Sequence, residues 1–188
     1  MKDVLLYSLT NYYSKDNNLS KLLNIIKYKK GVSLRVIDWF ATNYSKKYNT
    51  IFMIYRNENG DRTLNETTEI VSQFNVYNSY KSQLKAYSKK RFDPFCRRER
   101  IDVEINDIHL NTTIGQLNFF RWVLNNRIID YIQENIGEIE NDMNNSLKEI
   151  KKNYKKSGSS TRKPRQEISK SAQKCLNKTP LKVSITFD

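Results

Sequence analysis

The residues of this chain with the clearest chemical potential are its lysines and arginines, which concentrate in two segments. Between Ser79 and Arg100 there are 8 Lys and Arg against 2 Asp and Glu, and from Lys148 to Asp188 there are 12 against 3. These surpluses of +6 and +9 exceed the formal net charge of +13, so the remaining residues sum to −2. Clustered cations on a near-neutral body are typical of proteins that bind a polyanion.

The first basic segment has lysines at helical spacing. Lys81, Lys85 and Lys89 repeat every four residues, which on a helix places three ammonium groups along one edge at steps of about 6 Å. Contacts of this kind bind phosphates through counterion release and carry little base specificity. We therefore predict a nucleic-acid-binding surface, with a solvated lysine face as the alternative. Its remaining members continue along the chain as Lys90, Arg91, Arg97, Arg98 and Arg100.

Aromatic residues are interleaved with these cations at Tyr80, Tyr87, Phe92 and Phe95. Such rings could stack on unpaired bases. However, Tyr80 and Tyr87 also fall on the apolar side of the same predicted helix. We therefore expect these rings to pack in the core rather than to contact bases.

The second basic segment has a stronger composition signal and less specificity. From Lys156 it has almost no apolar side chain before Ile168, so this part cannot bury enough surface to offset the entropy of ordering. Its densest cluster could clamp phosphates or act as a nuclear localisation signal, and simple solubility is the alternative. The predicted nucleic-acid-binding residues of this cluster are Arg162, Lys163 and Arg165.

No pattern in the sequence indicates catalysis, a metal site or a cofactor. His109 is the only histidine and the two cysteines are far apart, so a zinc site lacks its ligands. No glycine-rich phosphate loop or nucleophile motif is present. Asp93, Asp102 and Glu104 loosely resemble a nuclease site, but strand exposure explains the last two equally well. We expect no enzymatic activity, no catalytic residues, no metal and no cofactor.

Hydrophobic periodicity predicts the elements that position the basic residues. Helices are expected at 19–30, from a cap at Ser33 to Tyr44, and at 76–90. The first two also fit a helix-turn-helix, although Arg35 is the only cation of the second. A strand at 50–56 should turn at Asn59-Gly60 into a weaker return strand around 63–71. A second strand at 100–105 could continue past a turn at 106–107.

The longest predicted helix is capped at Thr112 or Thr113 and runs to Tyr154, with Gly137 as a candidate kink. From Ile132 its apolar residues repeat at close to heptad spacing, so the Ile132–Tyr154 helix could form a homodimer. Between Ile128 and Leu147 it carries acids but no Lys or Arg. This face could contact the chain's own basic tail or a basic partner, but we favour a solvated face opposite the apolar residues. These acids are Asp130, Glu134, Glu138, Glu140 and Asp142.

Together these elements predict an α+β fold: a mainly helical domain with a small antiparallel sheet and a long C-terminal helix at 1–156. A basic, largely disordered tail should follow at 157–188, and its last residues, LKVSITFD, could dock on a sheet edge. No stretch approaches 18 apolar residues and no secretion signal is visible, so we expect an intracellular protein without a membrane partner.

Three segments between Ser33 and Ile132, which leave out the tail, read SLRVIDWFATNYSKKYNT, YKSQLKAYSKKRFDPFCRRERI and TIGQLNFFRWVLNNRIIDYI. Together they resemble an uncharacterised protein family of giant nucleocytoplasmic large DNA viruses. The heavy use of Asn, Lys, Ile and Tyr, whose codons are AT-rich, fits a mimivirus-like source. The resemblance implies no catalytic residues and suggests a virion or viral-factory setting.

Two functions remain open from the sequence. The first is a non-catalytic nucleic-acid-binding protein of a large DNA virus, with DNA the favoured partner, acting in genome packaging or the viral factory; a nuclear location is also compatible. The second is a structural interaction protein of a virion or complex that docks through the Ile132–Tyr154 helix and the C-terminal strand. The sequence does not separate DNA from RNA, or nucleic acid from an acidic protein surface.

Overall fold

The fold was analysed in a computed structural model that describes residues 4–15, 17–27, 31–67 and 69–156. The predicted basic tail at 157–188, with Arg162, Lys163 and Arg165, lies outside these residues. The chain divides into two units between Leu147 and Lys148. Of the second unit the structure describes only helical residues, up to Lys156.

The described residues form a mainly helical α+β structure with small antiparallel sheets, which confirms the predicted fold class. The first helices are α1 Val4–Tyr13, α2 Asn18–Ile26 and α3 Leu34–Trp39, and α3 continues through a π-helical turn, Phe40–Tyr44, into α4 Ser45–Lys47. The later helices are α5 Val76–Arg91, α6 Ile114–Asn125, α7 Ile128–Glu134 and the long α8 Ile136–Lys156. The strands are β1 Ile51–Arg56, β2 Arg62–Thr63, β3 Glu69–Asn75, β4 Ile101–Ile105 and β5 Ile108–Thr112.

The larger sheet has the strand order β2-β1-β3 and is antiparallel. Its β1–β2 turn closes at Gly60, whose φ of +82° suits glycine, so the predicted turn is confirmed. The return strand expected around 63–71 is only partly right. β2 ends at Thr63, and most of the pairing with β1 is made by β3 instead.

The second sheet is the hairpin of β4 and β5. Its turn residues Asn106 and Asp107 both adopt positive φ, at +50° and +62°, the combination that a two-residue type I′ turn requires. Ile105 pairs with Ile108 across this turn. The predicted strand and turn are confirmed.

Side-chain caps begin three of the helices. Ser33 and Thr113 accept hydrogen bonds from the backbone N–H groups of Val36 and Gln116, as predicted. Asn75 caps α5 in the same way. Each such cap satisfies an amide at the open end of a helix and contributes about 1 kcal/mol.

The prediction of one helix from Thr113 to Tyr154 is wrong. Arg127 adopts a left-handed φ of +54° between α6 and α7, and a second break falls at Asn135 between α7 and α8. Asparagine side chains close the ends of both helices: Asn126 donates to the Trp122 carbonyl and Asn135 to the Tyr131 carbonyl. Such local side-chain bonds compete with continuation of the helix.

The core is centred on α6, most of which is buried. From α1, the buried Tyr13 hydroxyl donates to the Leu117 carbonyl of α6 at 2.7 Å, and burial raises the pKa of this hydroxyl well above its ordinary value. Ile132 and Ile139 are fully buried in the same core. The start of the predicted heptad seam therefore packs within the protein itself.

Asp142 of α8 is buried, contrary to the expectation of a solvated acidic face, whereas Glu140 is exposed as expected. Its carboxylate accepts hydrogen bonds from Trp39 at 3.0 Å, Lys47 at 2.5 Å and Tyr48 at 3.1 Å. Burial alone would raise the pKa of Asp142, but these donated bonds outweigh it and lower the pKa. They tie α8 to α3, α4 and the residue after it.

We predict that Asp142→Asn lowers the free energy of unfolding at neutral pH by about 1–2 kcal/mol, because the bonds to a charged acceptor weaken. The folded-state pKa lies below the unfolded one, so the stabilisation is present above the unfolded pKa and lost as pH falls through the folded value. Urea unfolding should therefore show the two proteins converging below about pH 4. Glu140→Gln is the control, and an equal effect of both changes would contradict this role.

Candidate functional site

The eight predicted cations of the first basic segment lie on α5 and on the loop that joins it to β4. All eight side chains are exposed. α5 carries Lys81, Lys85, Lys89, Lys90 and Arg91, and the loop carries Arg97, Arg98 and Arg100. We call these residues together the basic surface.

The predicted row of three lysines on one helix edge is wrong beyond Lys85. Ser88 has a φ of +55° and a ψ of +167°, which are not helical, so Lys89 follows a break in α5. The Ser88 hydroxyl accepts a hydrogen bond from the Lys90 N–H, which starts the last turn afresh. The continuous helical row is therefore Lys81 and Lys85 alone.

Helix α6 holds the segment that follows α5. The carboxamides of Gln116 and Asn118, both buried, donate to the carbonyls of Pro94 at 2.8 Å and Arg91 at 3.0 Å. Gly115 accepts from the Asp93 N–H at 3.2 Å. The backbones meet so closely that a Cβ on Gly115 would lie 3.2 Å from the Lys90 carbonyl oxygen. These contacts anchor the segment that carries the basic surface to the core.

An aromatic cluster completes this anchoring. Phe92 is 2% exposed, with ring centroids 5.1 Å from Phe119, 5.6 Å from Trp122 and 5.9 Å from Tyr80. Burial, with the charges of nearby acids, raises the pKa of Tyr80 to about 12. The expectation that these rings pack in the core is confirmed for Tyr80 and Phe92. Tyr87 is partly buried and packs against the core, and Phe95 is only partly buried.

Arg97 differs from its neighbours because it is paired. Its Nη2 and Nε lie 2.8 and 3.1 Å from the two carboxylate oxygens of the buried Asp93. Burial raises the pKa of nearby Asp38, and the charge of Asp93 raises it further. Arg97 therefore serves the fold, since it neutralises a buried acid.

The other cations of the loop and of the last turn of α5 are less engaged. Arg100 donates to the Asn111 side-chain oxygen at 3.3 Å. Within the part of the chain that the structure describes, the side chains of four members form no hydrogen bond or ion pair. These four are Lys85, Lys89, Lys90 and Arg98.

Sequence reasoning missed two cations, Lys46 and Arg121, that the fold brings to this surface. Lys46 of α4 and Lys81 of α5 flank the Tyr77 ring, with ammonium nitrogens 6.0 and 5.9 Å from its centroid. Arg121 of α6 donates to the Asn118 side-chain oxygen, next to the end of α5. Only tertiary packing joins these positions, so no local pattern could have found them.

A separate open groove of about 1060 Å³ lies between α2, the β1–β2 turn and the α6–α7 junction. Asp61 and Asp130 also line it, and Asp130 lies 2.6 Å from Arg127. The charge of the groove lining is therefore nearly balanced, unlike that of the basic surface. Its polar lining includes Asn17, Asn24, Asn125, Lys21, Arg62 and Arg127.

The acids that loosely resembled a nuclease site have other contacts. Asp93 pairs with Arg97, and Asp102 accepts a hydrogen bond from Asn111 at 2.7 Å. Among the described residues, no three His, Cys, Asp or Glu side chains lie close enough together to hold a metal ion. In the same residues, every helix is too short or too polar to cross a membrane.

Comparison with known proteins gives a family and one relative. A family described as "Family of unknown function (DUF7197)" matches residues 1–184. An uncharacterized protein of Acanthamoeba polyphaga mimivirus is 39% identical over 165 residues, which cover 85% of this chain and 57% of that protein. The chain thus spans little more than half the length of this relative. No solved structure matches the chain.

We predict that Gly115→Ala lowers the free energy of unfolding by about 1–3 kcal/mol, because the new methyl group meets the Lys90 backbone. The matched control is Gly137→Ala in α8, where nothing lies within 4 Å of the new Cβ. That change should stabilise the protein by about 0.5–1 kcal/mol. Chemical denaturation measures both free energies of unfolding. A Gly115→Ala variant that loses no stability would contradict the close approach.

We also predict that the adjacent arginines Arg97 and Arg98 differ in their effect on stability. Arg97→Ala leaves the buried Asp93 carboxylate without its partner and should cost about 1–3 kcal/mol. Arg98→Ala removes the same charge from an exposed side chain and should change stability by less than about 0.5 kcal/mol. Equal unfolding midpoints for the two variants in urea would contradict a structural role for Arg97.

Proposed function

The chain belongs to this family of unknown function, DUF7197, and we propose that it is a non-catalytic nucleic-acid-binding protein. The resemblance to an uncharacterised giant-virus family is confirmed by the mimivirus relative. In this proposal the protein binds the phosphate backbone, preferentially of DNA, with little base specificity. Its setting is genome packaging or the viral factory of a large DNA virus.

The observation that carries this proposal is a set of exposed cations, without hydrogen bonds or ion pairs, that flank a segment anchored to helix α6. Lys85, Lys89, Lys90 and Arg98 have exposed side chains that form no hydrogen bond or ion pair with the described residues, although the charge of Lys89 acts to lower the pKa of Asp38. The segment between them is anchored by the buried Phe92 and by hydrogen bonds to α6. Cations held on folded elements can meet several phosphates at once, and each contact releases a counterion.

Low base specificity follows from the kind of contact available. Lysine ammonium groups bind phosphates as point charges, whereas base identity is read by side chains inserted along base edges. α5 packs against α6 on one side, and its outward edge presents Lys81 and Lys85. That edge suits backbone contacts, and the proposal includes no base-reading residue.

The alternative function, a structural interaction protein, has a smaller basis in the fold. Ile132, Ile139 and Met143 of the predicted dimer seam are buried in the core of one chain. A homodimer through the Ile132–Tyr154 helix would therefore rest on its later residues, of which Ile150 is 47% exposed. The burial of these seam residues weakens the alternative, so nucleic-acid binding remains the first proposal.

The test is a titration of duplex and single-stranded oligonucleotides with the full chain at a series of salt concentrations. A Lys85/Lys89/Lys90→Ala variant should weaken binding and reduce the slope of log affinity against log salt by about 2–3, since each phosphate contact contributes about 0.9 on duplex. Fluorescence anisotropy measures the affinities. No cleavage of the oligonucleotides should occur when divalent metal is added.

The control is a Lys15/Lys21/Arg35→Ala variant, which loses the same charge from exposed residues of other segments. It should keep the salt slope of the wild type. An equal loss in both variants would mean that net charge alone drives binding and would remove the basic surface as a site. Absence of binding at low salt would overturn the proposed function.

A further inference from the structure

Three aromatic rings on or beside the basic surface are only partly buried, in contrast to Tyr80 and Phe92. Tyr87 packs against the core, which leaves Tyr77 in the first turn of α5 and Phe95 in the loop after it. Cationic side chains lie beside both rings. Rings of this kind on a basic surface can stack on nucleic-acid bases, and sequence-independent binders of single strands combine these two features.

Tyr77 continues the helical row of lysines. Tyr77, Lys81 and Lys85 are spaced by four residues and precede the break at Ser88, so they share one edge of α5 at steps of about 6 Å. Lys46, which lies on the separate helix α4, also approaches the Tyr77 ring. A base stacked on Tyr77 would have its phosphates within reach of ammonium groups from two helices.

Lys46 and Lys81 lie over the Tyr77 ring but are only weakly attracted to it. Their nitrogens lie 6.0 and 5.9 Å from the ring centroid, the outer limit at which a cation and a ring attract each other, so a stacking base needs only to displace these flexible side chains. Among the described residues, the Tyr77 hydroxyl has no hydrogen-bond partner. The ring is therefore not held in place as Tyr13 is, by a buried hydroxyl bond to the core.

Phe95 is a more rigid counterpart. The Arg97 guanidinium carbon lies 4.7 Å from its ring centroid, and Arg97 is itself fixed by both oxygens of Asp93. The preceding residue, Pro94, is held by Gln116. Phe95 is thus a pre-positioned ring, held from one side by the Arg97 guanidinium.

We infer that the basic surface prefers single-stranded to duplex nucleic acid, with unpaired bases stacked on Tyr77 and Phe95. This inference rests on the proposed function and names the partner of the same site. Bases in a nucleic-acid duplex are already stacked on one another, so they cannot stack on Tyr77 or Phe95 at the protein surface. Phosphate contacts are available in both forms, so the rings supply the discrimination.

The experiment compares binding of the full chain to a single-stranded oligothymidylate and to a duplex of the same length. Wild type should bind the single strand more tightly at equal salt. Tyr77→Leu and Phe95→Leu should each weaken single-strand binding at least about five-fold and leave duplex binding unchanged. Their salt slopes should equal that of wild type, because stacking releases no counterions.

Tyr7→Leu is the matched control, since Tyr7 is 70% exposed on α1; it should leave both affinities unchanged. Tyr77→Trp keeps a stacking ring, so it should retain single-strand affinity, and its fluorescence should be quenched by the single strand alone. Unfolding midpoints near that of wild type would show that the leucine variants fold.

The outcomes separate the inference from the proposed function. Duplex binding as tight as single-strand binding, or equal losses on both forms in Tyr77→Leu and Phe95→Leu, would overturn the inference and leave phosphate binding intact. No binding of either oligonucleotide at low salt would overturn the proposed function itself. Loss of single-strand affinity with an unchanged salt slope would support the inference.

Discussion

The docking of residues 91–95 onto helix α6 is the interaction on which the rest of the structure depends. α6 is buried along most of its length, and it binds this segment through backbone contact at Gly115 and two carboxamide hydrogen bonds. Phe92 adds a buried ring to the aromatic cluster on the same helix. Because α6 also receives α1 through the Tyr13 hydroxyl, the basic surface is fixed to the centre of the protein.

This mounting explains why the cations of the surface are not equivalent. A loop drawn into the core brings polar groups with it, and Asp93 is buried as a result. An uncompensated buried carboxylate is costly, so Arg97 is bound to it by two hydrogen bonds. Arg97 therefore neutralises Asp93, whereas the other cations around this anchored segment remain exposed.

Local chemistry predicted much of the fold, because caps and tight turns are determined by neighbouring residues. The caps at Ser33 and Thr113 and the turns at Gly60 and Asn106-Asp107 are of this kind. The break at Ser88 depends on a hydrogen bond that its side chain accepts from the Lys90 N–H. The burial of Asp142 depends on contacts with helices that are distant in sequence. Of the candidate site, the sequence therefore predicted the exposed cations of one segment and missed Lys46 and Arg121, which tertiary packing alone brings close to them.

The first turns of α5 show how closely the core and the surface are coupled. Tyr77 and Tyr80 are three residues apart, so they lie on adjacent sides of the helix. Tyr80 packs near Phe92 and Trp122, whereas Tyr77 lies beside Lys46 and Lys81 at the surface. The inner ring sets the rotation of the helix about its axis, and that rotation in turn places the outer ring and the lysine row. A change in the core at Tyr80 would therefore reach the surface through the orientation of α5, without altering any charge.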